Sequence, residues 1–287
     1  VRMSALRLDF PRTFGQEDAK EAIRRAVAFG RMPHALLVHG EPGLGQHALL
    51  LDTAQILACE SADRRPCGTC FPCRAFDASA LETLLYLIPV EHGDSARAGG
   101  DDADGQADAD GADREEDEGP GSAQIAELTD AIARWHEAPY AFRASRKAVV
   151  RMSQVRGLLA GLRFAAPDGR PRIILVPWLE KLQREQANAL LKTLEEPPPG
   201  VHFLIAGEHR ATALQTVLSR CLHVPLAPLS ATALHAAAVT LSERAGVAPS
   251  LRLLPLAEGA PGAYIELLED EQDAGPDAAL AFMTAAL

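Results

Sequence analysis

The stretch HALLVHGEPGLGQHALLLDTAQILA, residues 34–58, decides the fold of this chain. Its first apolar run predicts a buried strand, and the segment after the glycines predicts a helix. Gly40 and Gly45 have the spacing of a phosphate-binding loop, whose usual pattern is G-x-x-x-x-G-K-[ST]. A strand, a glycine loop and a helix in this order are the context that such a loop requires. A plain tight turn is the alternative, but it leaves the flanking strand and helix unexplained.

The loop lacks the two side chains that give this motif its chemistry. Gln46 stands where the lysine belongs, and His47 stands where the magnesium-binding hydroxyl belongs. A neutral amide brings no positive charge to the phosphates, and imidazole is a poor ligand for a hard cation that prefers oxygen. The backbone N–H groups of Gly40 and Gly45 can still face an anion at a helix N-terminus. We therefore expect weak anion binding at most, with no ATP or Mg²⁺ in this site.

A second apolar run, in RPRIILVPWLEKL (residues 170–182), predicts the strand that carries acidic residues in an ATPase of this kind. Those acids hold Mg²⁺ and orient the attacking water. Here the strand ends in Pro177 and Trp178, which can do neither. Glu180 comes two to three residues late, where we expect a surface helix position. Two independent catalytic elements are missing, which predicts an inactive nucleotide fold.

Strands and helices alternate along most of the chain. VHFLIAG (201–207) is a third buried run, and REQANALLKTLEE (184–196) is a strong helix pattern that ends at three prolines. This alternation predicts an α/β fold, in which a parallel sheet is covered by helices on both faces. We expect this domain to span residues 1–228. A small helical domain rich in Ala and Leu should follow over residues 229–270.

An acidic segment of low complexity interrupts this pattern at about residues 93–123. It contains no aromatic, Val, Ile or Leu residue, so we expect a disordered, solvated insertion. A partner-binding arm is the alternative. Eleven acids and two bases lie between Asp94 and Glu118, so this stretch carries −9 of the net charge of −11. The rest of the chain is nearly neutral, and the total charge neither supports nor excludes nucleic-acid binding.

Four cysteines form a compact module at residues 59–73. They are Cys59 and the C-x-x-C-x-x-C set Cys67, Cys70 and Cys73. The sequence has no apolar run of membrane length and no signal core, so we expect a cytoplasmic protein with reduced thiols. Four thiolates at this spacing suit tetrahedral Zn²⁺ in a structural site, because no coordination position stays open. A redox-active C-x-x-C and an iron–sulfur cluster are the alternatives.

The tetrapeptide LSRC, residues 218–221, follows the third strand after a short helical stretch. A surface arginine in a salt bridge is the ordinary interpretation of Arg220. An arginine finger that reaches the γ-phosphate of a neighbouring subunit is the functional one. For the motif taken alone, the salt bridge is the better interpretation, and only the position of the motif in the fold favours the finger.

Together these stretches resemble the clamp-loader branch of the AAA+ proteins over roughly residues 10–270. FGQEDAKEAIRRAVAFGRMPHALLVHGEPGLG, CGTCFPC, NALLKTLEEPPPGVHFLIAG and LSRC recur there in this order. The resemblance implies an AAA+ P-loop sheet with an inserted zinc module, followed by a helical lid domain. It also implies the start of a third, collar domain at residues 271–287. Because only a fragment of the collar fits, the chain is either truncated or atypical.

The resemblance also implies a function. An intact loop belongs to the ATP-hydrolysing gamma/tau subunits, whereas a degenerate loop with the zinc module and S-R-C resembles the non-hydrolysing type. Ala263 occupies the place of a nucleotide-sensing arginine, which agrees with inactivity. Arg220 would then complete the ATP site of a neighbouring gamma/tau subunit. The expected partners are the gamma/tau and delta subunits and, through the complex, the sliding clamp and primed DNA. An active ATPase and a zinc-dependent adaptor outside replication are the alternatives.

Overall fold

The computed structural model describes residues 6–91, 122–163, 169–208 and 215–272. Nearly all of the acidic segment lies outside these residues, except for its last positions, where a helix begins at Ser122. The predicted collar segment also lies outside them beyond residue 272. No helix within the described ranges has the length and apolar character needed to cross a membrane.

Strands and helices alternate along the described chain. The strands are β1 (Arg7–Leu8), β2 (Ala35–His39), β3 (Arg64–Arg65), β4 (Leu84–Tyr86), β5 (Arg172–Val176), β6 (Val201–Gly207) and β7 (Leu222–Pro225). The helices are α1 (Glu17–Ala28), α2 (Gln46–Ala58), α3 (Phe71–Asp77), α4 (Ser122–Glu137), α5 (Met152–Gly161), α6 (Arg184–Glu195), α7 (Gln215–Leu218), α8 (Ala231–Ala245) and α9 (261–272). Short 3₁₀ turns occupy Leu179–Lys181 and Leu251–Leu253.

Five parallel strands form the central sheet in the order β4-β5-β6-β2-β7. Strand β2 lies between β6 and β7, where Leu36 pairs with Leu204 on one side and Leu222 on the other. Because every pairing is parallel, the carboxyl ends of the strands meet at one edge of the sheet and the amino ends at the other. This confirms the predicted α/β fold, a parallel sheet covered by helices, with β2 leading into the glycine loop.

Both faces of the sheet are buried, because side chains alternate along each strand. Leu36, Val38 and Leu204 lie in a core shared with the α1 and α2 face. Leu37 and Phe203 lie in a second core that α5 and α6 cover. The strands therefore read as continuous apolar runs, as expected for a parallel sheet covered by helices.

The helices α8 and α9 form a third core that rests on the glycine-loop side of the sheet. Its largest buried side chain is Tyr264, and it includes Ala48 and Tyr140 from the sheet domain. The backbone N–H of Gly262 donates to the carbonyl of Gly43 at 2.9 Å. A Cβ at Gly262 would lie 2.7 Å from the Cα of Gly43, so only glycine permits this approach. The unit formed by α8 and α9, which falls in the predicted lid, is thus joined directly to the glycine loop.

Candidate functional site

The glycine loop has the glycine spacing of a phosphate-binding loop, but the side chain of Gln46 folds back onto it. Gly43 and Gly45 adopt φ of +81° and +104°, and α2 begins at Gln46. The buried Gln46 side chain turns back, and its Nε2 donates to the carbonyls of Gly40 at 2.8 Å and Glu41 at 2.7 Å. The amide thus ties the loop to itself where a lysine would face phosphate.

His47 is held by the end of the second strand. Its Nε2 lies 2.9 Å from the carbonyl of Pro177, and its ring meets Trp178 edge-on at a centroid distance of 4.6 Å. Burial lowers the pKa of His47 to about 4. The imidazole is therefore neutral at pH 7, so it adds no positive charge for a phosphate.

Tyr140 occupies the remaining space beside the loop. Its hydroxyl accepts the N–H of Phe14 at 3.1 Å, and a Cβ at Gly45 would lie 2.8 Å from the hydroxyl oxygen. The cavity left here is about 40 Å³, lined by Gln46, Tyr140, Arg143 and other residues of the loop and strand ends. That volume suits a few water molecules. Sequence reasoning missed Tyr140, because it lies outside every motif.

Pro177 and Trp178 directly follow β5, as the sequence predicts. The predicted surface helix position of Glu180 is wrong. Glu180 lies in the 3₁₀ turn Leu179–Lys181 and is partly buried, not on an exposed helix surface. Its carboxylate oxygen would be 3.7 Å from a Cβ at Gly207, the last residue of β6. Burial raises the pKa of this carboxyl.

Arg220 lies at the opposite edge of the sheet from the glycine loop. It precedes β7, and its partner Glu195 ends α6 just before β6, so both lie at the amino ends of strands. A strand such as Ala35–His39 separates the two edges by about 16 Å at roughly 3.3 Å per residue. The Arg220 guanidinium therefore does not belong to the glycine loop of its own chain.

The guanidinium of Arg220 has three partners within the chain. Its Nε donates to Glu195 Oε1 at 2.8 Å, and Nη2 bonds the same oxygen. Its Nη1 donates to the carbonyl of Thr216 at 2.6 Å and the hydroxyl of Ser219 at 3.1 Å. The side chain is 29% exposed. Neighbouring Cys221 is partly buried, and burial raises the pKa of its thiol to about 11.

The four predicted ligand cysteines come together in one cluster. Cys59 ends α2, Cys67 and Cys70 lie in the following loop, and Cys73 lies in α3. Their sulfur atoms all lie within 4.8 Å of one another, with Cys59–Cys70 at 3.9 Å and Cys67–Cys73 at 4.0 Å. Tetrahedral Zn–S bonds of about 2.3 Å require sulfurs roughly 3.8 Å apart. The cluster therefore fits a metal ion bound by four sulfurs.

Hydrogen-bond donors favour the thiolate form of Cys67, whereas burial raises the pKa of Cys59 and Cys73. The N–H of Cys70 lies 3.3 Å from the sulfur of Cys67, and the hydroxyl of Thr69 lies 3.6 Å from it. These donors lower the pKa of Cys67 to about 5. Strands β1 and β3 pair in parallel and join the module to the N-terminal segment.

A basic stretch between Arg143 and Arg163 was not singled out from the sequence. It carries six cations and no acid. Arg146, Lys147 and Arg156 are exposed, and none of them has an ion pair among the described residues. The signal was present in the sequence, but the acidic segment before it masks the local excess in the total charge.

Comparison with known proteins places the chain among replication proteins. Residues 15–230 match the family model described as DNA polymerase III, delta subunit. DNA polymerase III subunit tau of Escherichia coli (strain K12) is 27% identical over 224 residues, which cover 76% of this chain and 26% of tau.

Two relatives are named DNA polymerase III subunit delta'. The Yersinia pestis protein is 29% identical over 249 residues, or 85% of this chain and 57% of the relative. The Haemophilus influenzae protein is 25% identical over 188 residues, or 66% of this chain and 41% of the relative. The chain spans about half the length of these relatives and about a quarter of the length of tau.

Proposed function

This chain belongs to the family described as DNA polymerase III, delta subunit, and on that premise we propose that it is a non-hydrolysing, delta-prime-type stator of the sliding-clamp loader. It assembles with gamma/tau and delta subunits in a ring that places the clamp on primed DNA. Its Arg220 acts in trans on the ATP site of a gamma/tau neighbour. Its own domain plan is an AAA+ domain over 1–228, a lid over 229–270 and a collar that begins at 271.

The closed glycine loop is the observation that supports a non-hydrolysing role. Gln46 bonds two carbonyls of the loop, and His47 is neutral and held by Pro177. Pro177 and Trp178 stand at the end of β5, where an ATPase of this kind has carboxylates. Neither the charge nor the Mg²⁺ ligands that phosphoryl transfer uses are supplied by these residues.

The position of Arg220 supports action on a neighbour. The guanidinium is partly exposed at the amino edge of the sheet, on the far side from the loop. A cation there is available to a nucleotide bound by another subunit. An arginine finger supplied in trans stabilises the charge of the transition state and typically raises hydrolysis by about 10³ to 10⁵.

The metal in the cysteine cluster is Zn²⁺ in this proposal. Cys59, Cys67, Cys70 and Cys73 would hold it, and four thiolates leave no position open for water or substrate. When bound, the ion supplies a structural cross-link between the end of α2 and α3. The protein's own residues keep the four sulfurs close together and stabilise the thiolate of Cys67 before binding.

The test is a clamp loader reconstituted from gamma/tau, delta and the complete protein, with Arg220→Ala compared with the wild type. We expect the DNA- and clamp-stimulated hydrolysis of ATP at the neighbouring gamma/tau site to fall at least about 10³-fold while the complex still assembles. Arg25→Ala is the matched control, because Arg25 forms an exposed ion pair with Glu21 on α1. Normal hydrolysis by assembled Arg220→Ala complexes would refute the finger.

An active ATPase of the gamma/tau type is the second candidate, because tau is also among the relatives. It requires the isolated chain to bind and turn over ATP. Equilibrium dialysis with labelled ATP decides between the two. Micromolar affinity accompanied by turnover would favour the ATPase, and no binding would favour the stator.

A further inference from the structure

Arg220 is not presented as a free cation. Glu195, the last residue of α6, accepts from both Nε and Nη2 through one oxygen. Thr216 and Ser219 accept from Nη1. A guanidinium has five N–H donors. Four of them are therefore engaged within the chain.

Resting on the proposed function, we propose that Glu195 is the positioning residue that holds Arg220 when no phosphate is present. The γ-phosphate of the neighbour's nucleoside triphosphate then displaces the Glu195 carboxylate. In this proposal the phosphate takes the place of the carboxylate at the same edge of the guanidinium, formed by Nε and Nη2. Thr216 and Ser219 keep their bonds to Nη1 throughout.

The geometry assigns the exchange to Glu195 and not to the other two partners. Thr216 and Ser219 precede Arg220 in the same turn of chain, so their bonds move with the arginine. Glu195 belongs to a different element and shares the Nε and Nη2 edge, which is the edge that binds an oxyanion in a forked manner. Release of Glu195 alone frees two parallel N–H donors.

Exposure makes the exchange feasible. The side chains of Arg220 and Glu195 are 29% and 49% exposed. Ion pairs of such exposure hold weakly, because water and salt compete for both partners. A triphosphate has more negative charge than a carboxylate, so it competes well for the same donors. While the carboxylate stays in place, it neutralises the charge that the finger is meant to supply.

The proposal predicts a specific kinetic signature. Glu195→Gln keeps an acceptor oxygen of the same size but removes the negative charge that competes with phosphate. In the reconstituted complex, the ATP concentration for half-maximal hydrolysis should fall about two- to fivefold, the range that an exposed ion pair provides, with kcat unchanged or raised. A residue that merely supports the fold would not lower this concentration.

The chain offers a matched control in Glu196→Gln. Glu196 is the adjacent glutamate, is exposed, and has no ion pair among the described residues. This variant should match the wild type in half-saturating ATP. The double variant Arg220→Ala with Glu195→Gln should match Arg220→Ala alone, because the carboxylate acts only through the arginine.

The same experiment separates the two proposals. If Arg220→Ala leaves hydrolysis unchanged, the finger itself is refuted, and the exchange falls with it. If Arg220→Ala abolishes stimulation but Glu195→Gln leaves half-saturating ATP unchanged or raises it, the finger stands and the exchange is overturned. If Glu195→Gln and Glu196→Gln lower the half-saturating ATP concentration equally, the change comes from the general surface charge, and the exchange is again overturned.

Discussion

Replacement of Gln46 by Met tests whether this side chain locks the loop. Gln46 is 6% exposed, and its amide donates to two loop carbonyls at 2.8 and 2.7 Å. Met has a similar length and no donor. Each lost hydrogen bond contributes about 0.5–1.5 kcal/mol net, so the free energy of unfolding should fall by about 2 kcal/mol.

Urea unfolding followed by tryptophan fluorescence measures this change well. The two tryptophans, Trp135 and Trp178, are buried and flank His47, so their emission reports on the loop region. Gln183→Met is the control, because Gln183 is exposed and its side chain caps nothing. The reasoning is refuted if the Gln46→Met variant loses less than about 0.5 kcal/mol, which is within the range of ordinary surface changes.

Three further changes probe the metal cluster, the neutral histidine and the lid. Cys70→Ser should lower the bound zinc, measured by elemental analysis, and reduce the thermal midpoint, whereas Cys221→Ser should keep one zinc per chain. Because the pKa of His47 is about 4 in the folded chain, against 6.5 ordinarily, its contribution to stability is complete above about pH 6.5. It is lost as the pH falls toward 4, by at most about 3 kcal/mol. The His47→Gln variant should therefore lose less unfolding free energy than the wild type between about pH 6.5 and about pH 4, as measured by urea titrations at several pH values. An equal loss in both proteins would contradict the lowered pKa of His47. Gly262→Ala places a Cβ 2.7 Å from the loop backbone, so we expect a loss of about 1–3 kcal/mol and faster proteolysis of the lid. Gly157→Ala in α5, with nothing within 4 Å, should be neutral or stabilising, and equal behaviour of the two alanine variants would argue against the contact.

The sheet and its loop could be predicted because their signals are local. The apolar run of β2, the spacing of Gly40 and Gly45, and the helix after them lie within one stretch of sequence. The cysteine cluster is equally local, since its four sulfurs come from one short module. Periodicity and spacing carry this kind of information directly.

The residues that pack against the glycine loop could not be predicted, because they come from distant segments of the chain. Tyr140 reaches the loop from beyond the acidic segment, and Gly262 reaches it from the lid. Gln16 joins the loop to the segment after β7, because its Nε2 donates to the carbonyls of Leu44 at 3.2 Å and Ala227 at 2.8 Å. Such contacts depend on tertiary packing, which no single stretch encodes. Glu180 was misjudged for the same reason, since the neighbour that buries it belongs to another strand.

These long-range contacts bear on how the proposed stator would work. In this chain the lid is attached to the loop by a backbone hydrogen bond between Gly262 and Gly43. Because this contact lies within the chain, we expect the relative position of lid and sheet not to depend on a nucleotide in this site. In the proposed complex, Arg220, on the opposite edge of the same sheet, would then keep its place while a neighbour binds and releases ATP. Hydrogen exchange at the Gly262 amide should accordingly be the same with and without ATP, and protection that rises with added nucleotide would show that the lid still responds to it.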